Sequence, residues 1–412
     1  MHFIKMKKVI ATLIFIACAV SCNKDRLDHD VAPTIPLTKS EGQFAVKSND
    51  FSSELLQMYY DKKGEAYDFV LSPISLQMYL GMLNAGADEE RSAQINRMLG
   101  YEGASVEEIN SFCKKVLETS PKLDPKVKVD VANQMWLDSA AGFNLFPTYA
   151  QMLKDNYQVV PETRDFTADP MYDITRSWIT EKTRGMLNFG VLPPYFRSIL
   201  VNVTYFKAEW NNPFDKARSE AGKFYREDGS VIEVKYMNRI FREVELYEND
   251  TFQALYLPFV GGAFRMEFYL PRIGKNIKDA ISELRTGSYP KKGETGQSPV
   301  KLPSFDLEFS NYGLVSDLYK HFQVSLSGEY PLCGEDNDGD GLKIDRIAHA
   351  ARIKVYEEGA EAAAVTANYF MAATLSDPRG FYATRPFVFV IREVGSGIAF
   401  FSGVYAGKSS KE

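Results

Sequence analysis

The chain has 412 residues, 45% hydrophobic and 13% aromatic, which is enough apolar mass to bury one large core. Its formal charge of -6 argues against a nucleic-acid partner, because a phosphate-binding face leaves a basic excess. No acidic or basic block stands out beyond the first residues, and no cofactor is expected.

At the N-terminus, Lys5, Lys7 and Lys8 precede an apolar core from Val9 to Val20, too short to span a bilayer comfortably and matched to a signal peptide. Ala19, Val20, Ser21 and Cys22 resemble a bacterial lipobox, in which the Cys is lipidated and becomes the mature N-terminus, with Ala19 in place of the usual Leu. Asn23, Lys24 and Asp25 resemble the charged export tags of Bacteroidetes surface lipoproteins. Residues 1–21 are therefore expected to be a lipoprotein signal peptide, residues 22–40, with Pro33 and Pro36, a tether, and residues 41–412 a single domain. A lipid on Cys22 would hold that domain at the outer membrane or cell surface without crossing it. The alternative is a plain secretory signal cut nearby, which would release the protein. Beyond the leader remain Cys113 and Cys333, expected to be buried free thiols, although an exported compartment also permits a disulfide between them.

The elements run from helix-rich to strand-rich. Ser72-Pro73 opens a predicted helix through Leu83, with Leu76, Tyr79, Leu80 and Leu83 at helical spacing, and a second helix is expected over Glu89 to Leu99. Strands are expected at Val127 to Trp136, Ile199 to Phe206, Thr251 to Pro258 and Phe264 to Leu270. Helices with largely antiparallel strands in one unit give an α+β class.

Glu357, Glu358, Gly359, Ala360, Glu361, Ala362, Ala363, Ala364, Val365 and Thr366 form the most informative run. By composition it is an ordinary helical connector, since Ala and Glu are strong helix formers. It follows directly on Ala351 to Tyr356, however, which alternates as a half-buried strand does, and it precedes an aperiodic stretch reaching Arg385. Within it, Ala360, Ala362, Ala364 and Thr366 recur at period two, all small enough to pass beneath a sheet, while Glu361, Ala363 and Val365 take the other face.

This run, about forty residues before a chain end reading Pro386-Phe387-Val388-Phe389, resembles the reactive-loop hinge of the serpins, the large protease-inhibitor family. Other landmarks keep the family order over roughly residues 41 to 408. They include Leu71-Ser72-Pro73-Ile74-Ser75, Asn84-Ala85-Gly86-Ala87, Asn133, Trp136, Trp178, and Val201 through Lys207 leading to Trp210, Pro213 and Phe214. The resemblance implies several helices around three β-sheets, with an exposed reactive-centre loop at about residues 357–385. It implies that Ser72, Ser75, Asn202 and His349 form a hydrogen-bonded shutter under the main sheet, and that Trp210 marks the breach where the loop enters. It also implies a monomer whose partners are serine proteases and, in some members, cysteine proteases. It further implies that the loop is cleaved and inserted into the main sheet, trapping the protease as an acyl-enzyme.

The family's usual spacing, counted from Gly359, implies a scissile bond at Ala373-Thr374, and counting back from Pro386 points nearer Leu375, so the expected window runs from Ala372 to Leu375. Small and aliphatic residues there suit elastase-like or subtilisin-like proteases. The family usually sets a Lys after the Pro of the neighbouring strand to pair with the hinge Glu; here Pro303 is followed by Ser304, so Glu357 is expected to lack that partner. A non-inhibitory member serving as a surface binding or structural lipoprotein is the alternative.

Asp336, Asp338 and Asp340 with Gly341 match the start of a calcium-binding loop, but Ile347 stands where a bidentate Glu is needed, so a solvated turn is expected and no metal. Only His321 and His349 are available as imidazole bases outside the first 40 residues, and no nucleophile-elbow or zinc-protease motif occurs. No catalytic residue is expected.

Overall fold

A computed structural model describes residues 32–142, 145–190, 197–286, 291–292, 297–311, 313–326, 329–332, 342–343, 349–360 and 380–408. Eight helices occur among them: α1 Lys39–Lys63, α2 Pro73–Asn84, α3 Glu89–Leu99, α4 Val106–Thr119, α5 Pro147–Tyr157, α6 Met171–Lys182, α7 Ile277–Arg285 and α8 Leu314–Phe322. Their ends follow local chemistry. Thr38 and Ser105 cap α1 and α4 in reciprocal capping boxes with Glu41 and Glu108, and Gly64 and Gly100 close α1 and α3 in the left-handed region that favours glycine. The helices predicted at residues 72–83 and 89–99 are both present, the first capped by Ser72.

The strands form three large sheets. The first, seven-stranded, has the order β1 (Phe69–Leu71), β19 (Ala399–Tyr405), β18 (Phe387–Glu393), β9 (Phe264–Pro271), β8 (Phe252–Pro258), β7 (Glu245–Glu248) and β10 (Lys291–Lys292). The second has the order β17 (Phe381–Tyr382), β11 (Ser298–Pro303), β6 (Val231–Phe241) and β5 (Glu220–Tyr225). The third is the main sheet: β12 (Phe305–Asn311), β15 (His349–Tyr356), β16 (Gly359–Ala360), β4 (Ser198–Glu209), β2 (Lys128–Asp138) and β3 (Glu162–Arg164). A small hairpin joins β13 (Glu329–Tyr330) and β14 (Leu342–Lys343). All four strand expectations fall on real strands, with ends moved by up to three residues.

The core lies where the first sheet meets the main sheet. Both faces of β19 are buried, and α2 touches β19 on one side and β4 on the other. Every residue of α2 is buried, so its apolar pattern runs right round the helix rather than down one stripe. This wedges the start of α2, with Ser72 and Ser75, directly beneath the main sheet. The packed body also takes up the chain earlier than the tether boundary at residue 40 implied, because Ile35 is only 2% exposed and α1 begins at Lys39. Buried apolar surface is what fixes the segment there.

Candidate functional site

The site is the seam between β15 and β4. Among the described residues these two strands are joined through β16 alone, which pairs antiparallel with both: Ala360 with Val355 and Ala208, and Gly359 with Tyr356 and Glu209. The helical connector suggested by composition is thus corrected at Gly359 and Ala360, where two sheet partners override helix propensity. Gly359 has a packing reason to be glycine: a Cβ there would meet the Ala208 carbonyl oxygen at 2.1 Å and Glu209 Cα at 2.7 Å, and backbone cannot swing aside as a side chain can. Glu361 through Thr366, the rest of the hinge, and the bond window Ala372, Ala373, Thr374 and Leu375 lie outside the described residues, as do Cys22, Cys333, Asp336, Asp338 and Asp340.

Just before β16, a clamp grips the chain. The Trp210 indole N–H donates to the Tyr356 carbonyl at 2.9 Å, and the Trp210 and Phe214 backbone N–H groups donate to Glu358 and Glu357 carbonyls, both at 2.8 Å. Trp210 is 2% exposed and stacks on Phe259, with ring centroids 4.7 Å apart. The Glu357 carboxylate receives the Ser219 hydroxyl at 2.6 Å and the Lys235 ammonium at 2.6 Å, and Lys216 pairs with Glu358. Burial alone would push the Glu357 carboxyl up, but the bonds from Lys235 and Ser219 outweigh it and hold the group below the ordinary glutamate value.

As expected, Ser304 brings no cation to Glu357; a different residue, Lys235, supplies it. Ser304 follows the end of β11 and donates its backbone N–H to the Lys235 carbonyl at 2.9 Å, so Lys235 occupies the facing position on β6. The charge has moved one strand across, and it reaches the same carboxylate. The sequence gives no local sign of it, since Lys235 and Glu357 are more than a hundred residues apart.

Farther along the seam, the four predicted shutter residues do come together. The Ser72 backbone N–H donates to His349 Nε2 at 3.3 Å, the Ser72 hydroxyl donates to Thr204 Oγ1 at 3.0 Å, and the Ser75 hydroxyl donates to Asn202 Oδ1. Asn202 in turn donates to Asn133 Oδ1, whose own amide donates to the Tyr157 carbonyl at 2.9 Å. Tyr157 then donates its hydroxyl to Asn110 at 2.7 Å. Thr204, Asn133, Tyr157 and Asn110 extend the cluster beyond the predicted four. The chain of bonds runs from β15 through α2 and across β4 and β2 to α4 and α5. His349 is 2% exposed and accepts a hydrogen bond at Nε2, so it is held neutral; burial pushes its pKa down to about 4.

His321, on α8, lies 3.0 Å from the Glu54 carboxylate. Cys113 is a buried free thiol, with its pKa pushed up to about 12 by burial.

The comparisons with known proteins agree with this geometry. The family profile described as Serpin (serine protease inhibitor) matches residues 46–406. Serpin-ZX of Arabidopsis thaliana is 26% identical over 86% of this chain and 96% of its own length. Arabidopsis AtSerpin1, solved in a native stressed conformation, superposes with a TM-score of 0.73 at 25% identity, covering 90% of this chain and 98% of its own. Human thyroxine-binding globulin in complex with its hormone superposes with a TM-score of 0.77 at 20% identity, covering 90% and 100%. With Gly359 and Ala360 seated at the head of the main-sheet seam and the family profile spanning nearly the whole chain, the protein belongs to the serpins, a family of protease inhibitors rather than enzymes.

Proposed function

We propose that this serpin is inhibitory and acts as a suicide substrate. The observation that carries the reading is β16: the first two hinge residues that can enter the sheet are already paired on both sides, between β15 and β4. The residues that follow, Ala362, Ala363, Ala364 and Val365, are small and contain no proline, so each can supply a ladder donor as the strand extends. The protease serine attacks the carbonyl of Ala373, the bond to Thr374 breaks with its nitrogen leaving as an amine, and an ester to the protease remains. Insertion of the freed hinge then carries the ester away from the loop's original position. Deacylation stalls as the protease active site loses its alignment. Elastase-like and subtilisin-like proteases are the target class, because the bond window is small and aliphatic.

The same proposal places the protein outside the cytoplasm. Cys22 carries a lipid, residues 1–21 are removed, and the monomeric domain is displayed at the outer membrane or cell surface.

The test is to mix the purified protein with elastase-like and subtilisin-like serine proteases and inspect denaturing gels for a covalent complex. A complex that survives denaturation, with the released peptide starting at Thr374 or within the window to Leu375, is the expected result. The competing reading is a binding lipoprotein, favoured by the fold shared with thyroxine-binding globulin. Clean cleavage in the window with no complex, and no rise in thermal stability of the cleaved form, would establish that reading instead.

A further inference from the structure

Behind the clamp, where β6, β7, β8 and β9 converge on Trp210, the structure holds a cleft of about 500 Å³. That is within the usual range of about 300–1,000 Å³ for small-molecule sites. Its inner wall is aromatic, from Trp210, Phe241 and Tyr256, all buried, and Val394 lines its edge at 36% exposure. At the mouth stand the exposed carboxylates of Glu243 and Glu245, and neither makes an ion pair among the described residues.

The cation that also reaches this cleft is already engaged. Arg265 lies 4.5 Å over the Tyr256 ring and donates to the buried Glu267 carboxylate, with Nε at 2.8 Å and a terminal nitrogen at 2.6 Å. Glu267 also receives Arg392 at 2.7 Å and the Tyr269 hydroxyl, and these partners outweigh its burial and keep it ionised. Nearby Arg239 donates a terminal nitrogen to the Pro213 carbonyl and lies 5.2 Å over Phe241, while its buried Nε has no partner among the described residues. An anionic ligand would have to compete with Glu267 for Arg265. A cation finds two carboxylates that make no ion pair among the described residues, Glu245 accepting the Tyr247 hydroxyl at 3.1 Å, beside an aromatic wall on which Arg265 and Arg239 already lie over Tyr256 and Phe241.

We infer that this cleft is a binding site for a compact, planar apolar molecule carrying a cationic nitrogen, its rings against Trp210, Phe241 and Tyr256 and its charge between Glu243 and Glu245. The wall that such a molecule touches is also the clamp on the hinge, because Trp210 donates to the carbonyls of Tyr356 and Glu358. Occupancy therefore bears on how firmly residues 356–360 are held. The inference is independent of whether the protein inhibits a protease.

The probe is thioflavin T, flat, cationic and fluorescent when immobilised, titrated against the full chain, with the anionic dye 1-anilinonaphthalene-8-sulfonate as the opposite-charge control. The expected result is saturable one-to-one binding of thioflavin T, at least about tenfold tighter than the anion. The Glu243→Gln/Glu245→Gln variant, which changes only exposed side chains, weakens it by about tenfold. Val394→Trp, filling the cleft from its edge, abolishes it, and hydrogen exchange of the Glu358 to Ala360 amides slows on binding to the parent chain. Equal affinity for the two dyes, undiminished binding by both variants, or no saturable binding would each overturn the inference.

Discussion

Two stretches of one seam are held by opposite chemistry. At the head, Glu357 is an ionised carboxylate gripped by Lys235 and Ser219, with the Lys235 side chain 58% exposed to solvent. Farther along, the shutter is neutral and buried: hydroxyls, amides and an uncharged imidazole bonded to one another across α2, β15, β4 and β2. The difference decides what each stretch senses. A half-exposed ion pair is screened by salt and contributes little individually, whereas a buried neutral network is indifferent to salt and intolerant of any partner left unsatisfied. The head of the seam is built to yield and the shutter to hold.

The largest test of that contrast removes the clamp's anchor. Trp210→Ala takes away a buried indole stacked on Phe259 and removes its N–H bond to the Tyr356 carbonyl. A loss of about 3–5 kcal/mol is expected in denaturant unfolding, with faster hydrogen exchange at residues 356–360 ahead of the shutter.

The shutter should instead respond to pH. Because the folded pKa of His349 is depressed from 6.5 to about 4, its contribution is fully present above pH 6.5 and is lost as pH falls toward 4. At about 1.4 kcal/mol per unit, the loss is about 3 kcal/mol. Asp68 works the other way: burial pushes its carboxyl up to about 6, so its contribution is present below the ordinary aspartate value and is lost as pH rises through 6. The informative quantity is therefore the difference in unfolding free energy between the parent and His349→Gln, whose side chain can still accept from Ser72. That difference should slope between pH 6.5 and 4, and a flat line would remove His349 as the shutter's titrating group.

Gly359→Ala asks whether the fit at the head is tight. The added Cβ runs into the β4 backbone, and a cost of about 2 kcal/mol is expected, with β16 displaced from between its partners. Equal stability of the variant, measured by thermal unfolding, would mean that the seam is wider there than the geometry shows.

The smallest effect belongs to the relocated cation. Lys235→Met should cost about 1 kcal/mol in low salt, fading as ionic strength rises, because the exposed end of the pair is screened. Adding Ser304→Lys to that variant should recover at least half of the loss, since Ser304 lies beside Lys235. If the double variant stays as weak as the single one, the two positions are not equivalent sources of charge for Glu357.

Much of this was legible in the chain. Ser72 capping a helix, the β-branched and aromatic run of Ile199 to Phe206 and the small residues after Glu358 are local signals, and they emerge as α2, β4 and β16 because each agrees with its tertiary setting. The four shutter residues were readable through family resemblance, but Thr204, Asn133, Tyr157 and Asn110 were not, because a bond between distant residues leaves no periodicity behind. Composition misled at Gly359 and Ala360 for a definite reason: helix propensity differs by tenths of a kcal/mol to about 1 kcal/mol per residue, and two flanking strands outweigh it.

The sequence by itself determined the class of fold, the helix caps, the family and the small-residue character of the hinge, since all of these are written in short-range order. Only the tertiary structure decided which lysine meets Glu357, because opposite charges pair by distance in space, and β6 carries Lys235 to a carboxylate that the neighbouring Ser304 cannot serve. The aromatic cleft behind Trp210 is of the same kind, made by four strands that only folding brings together.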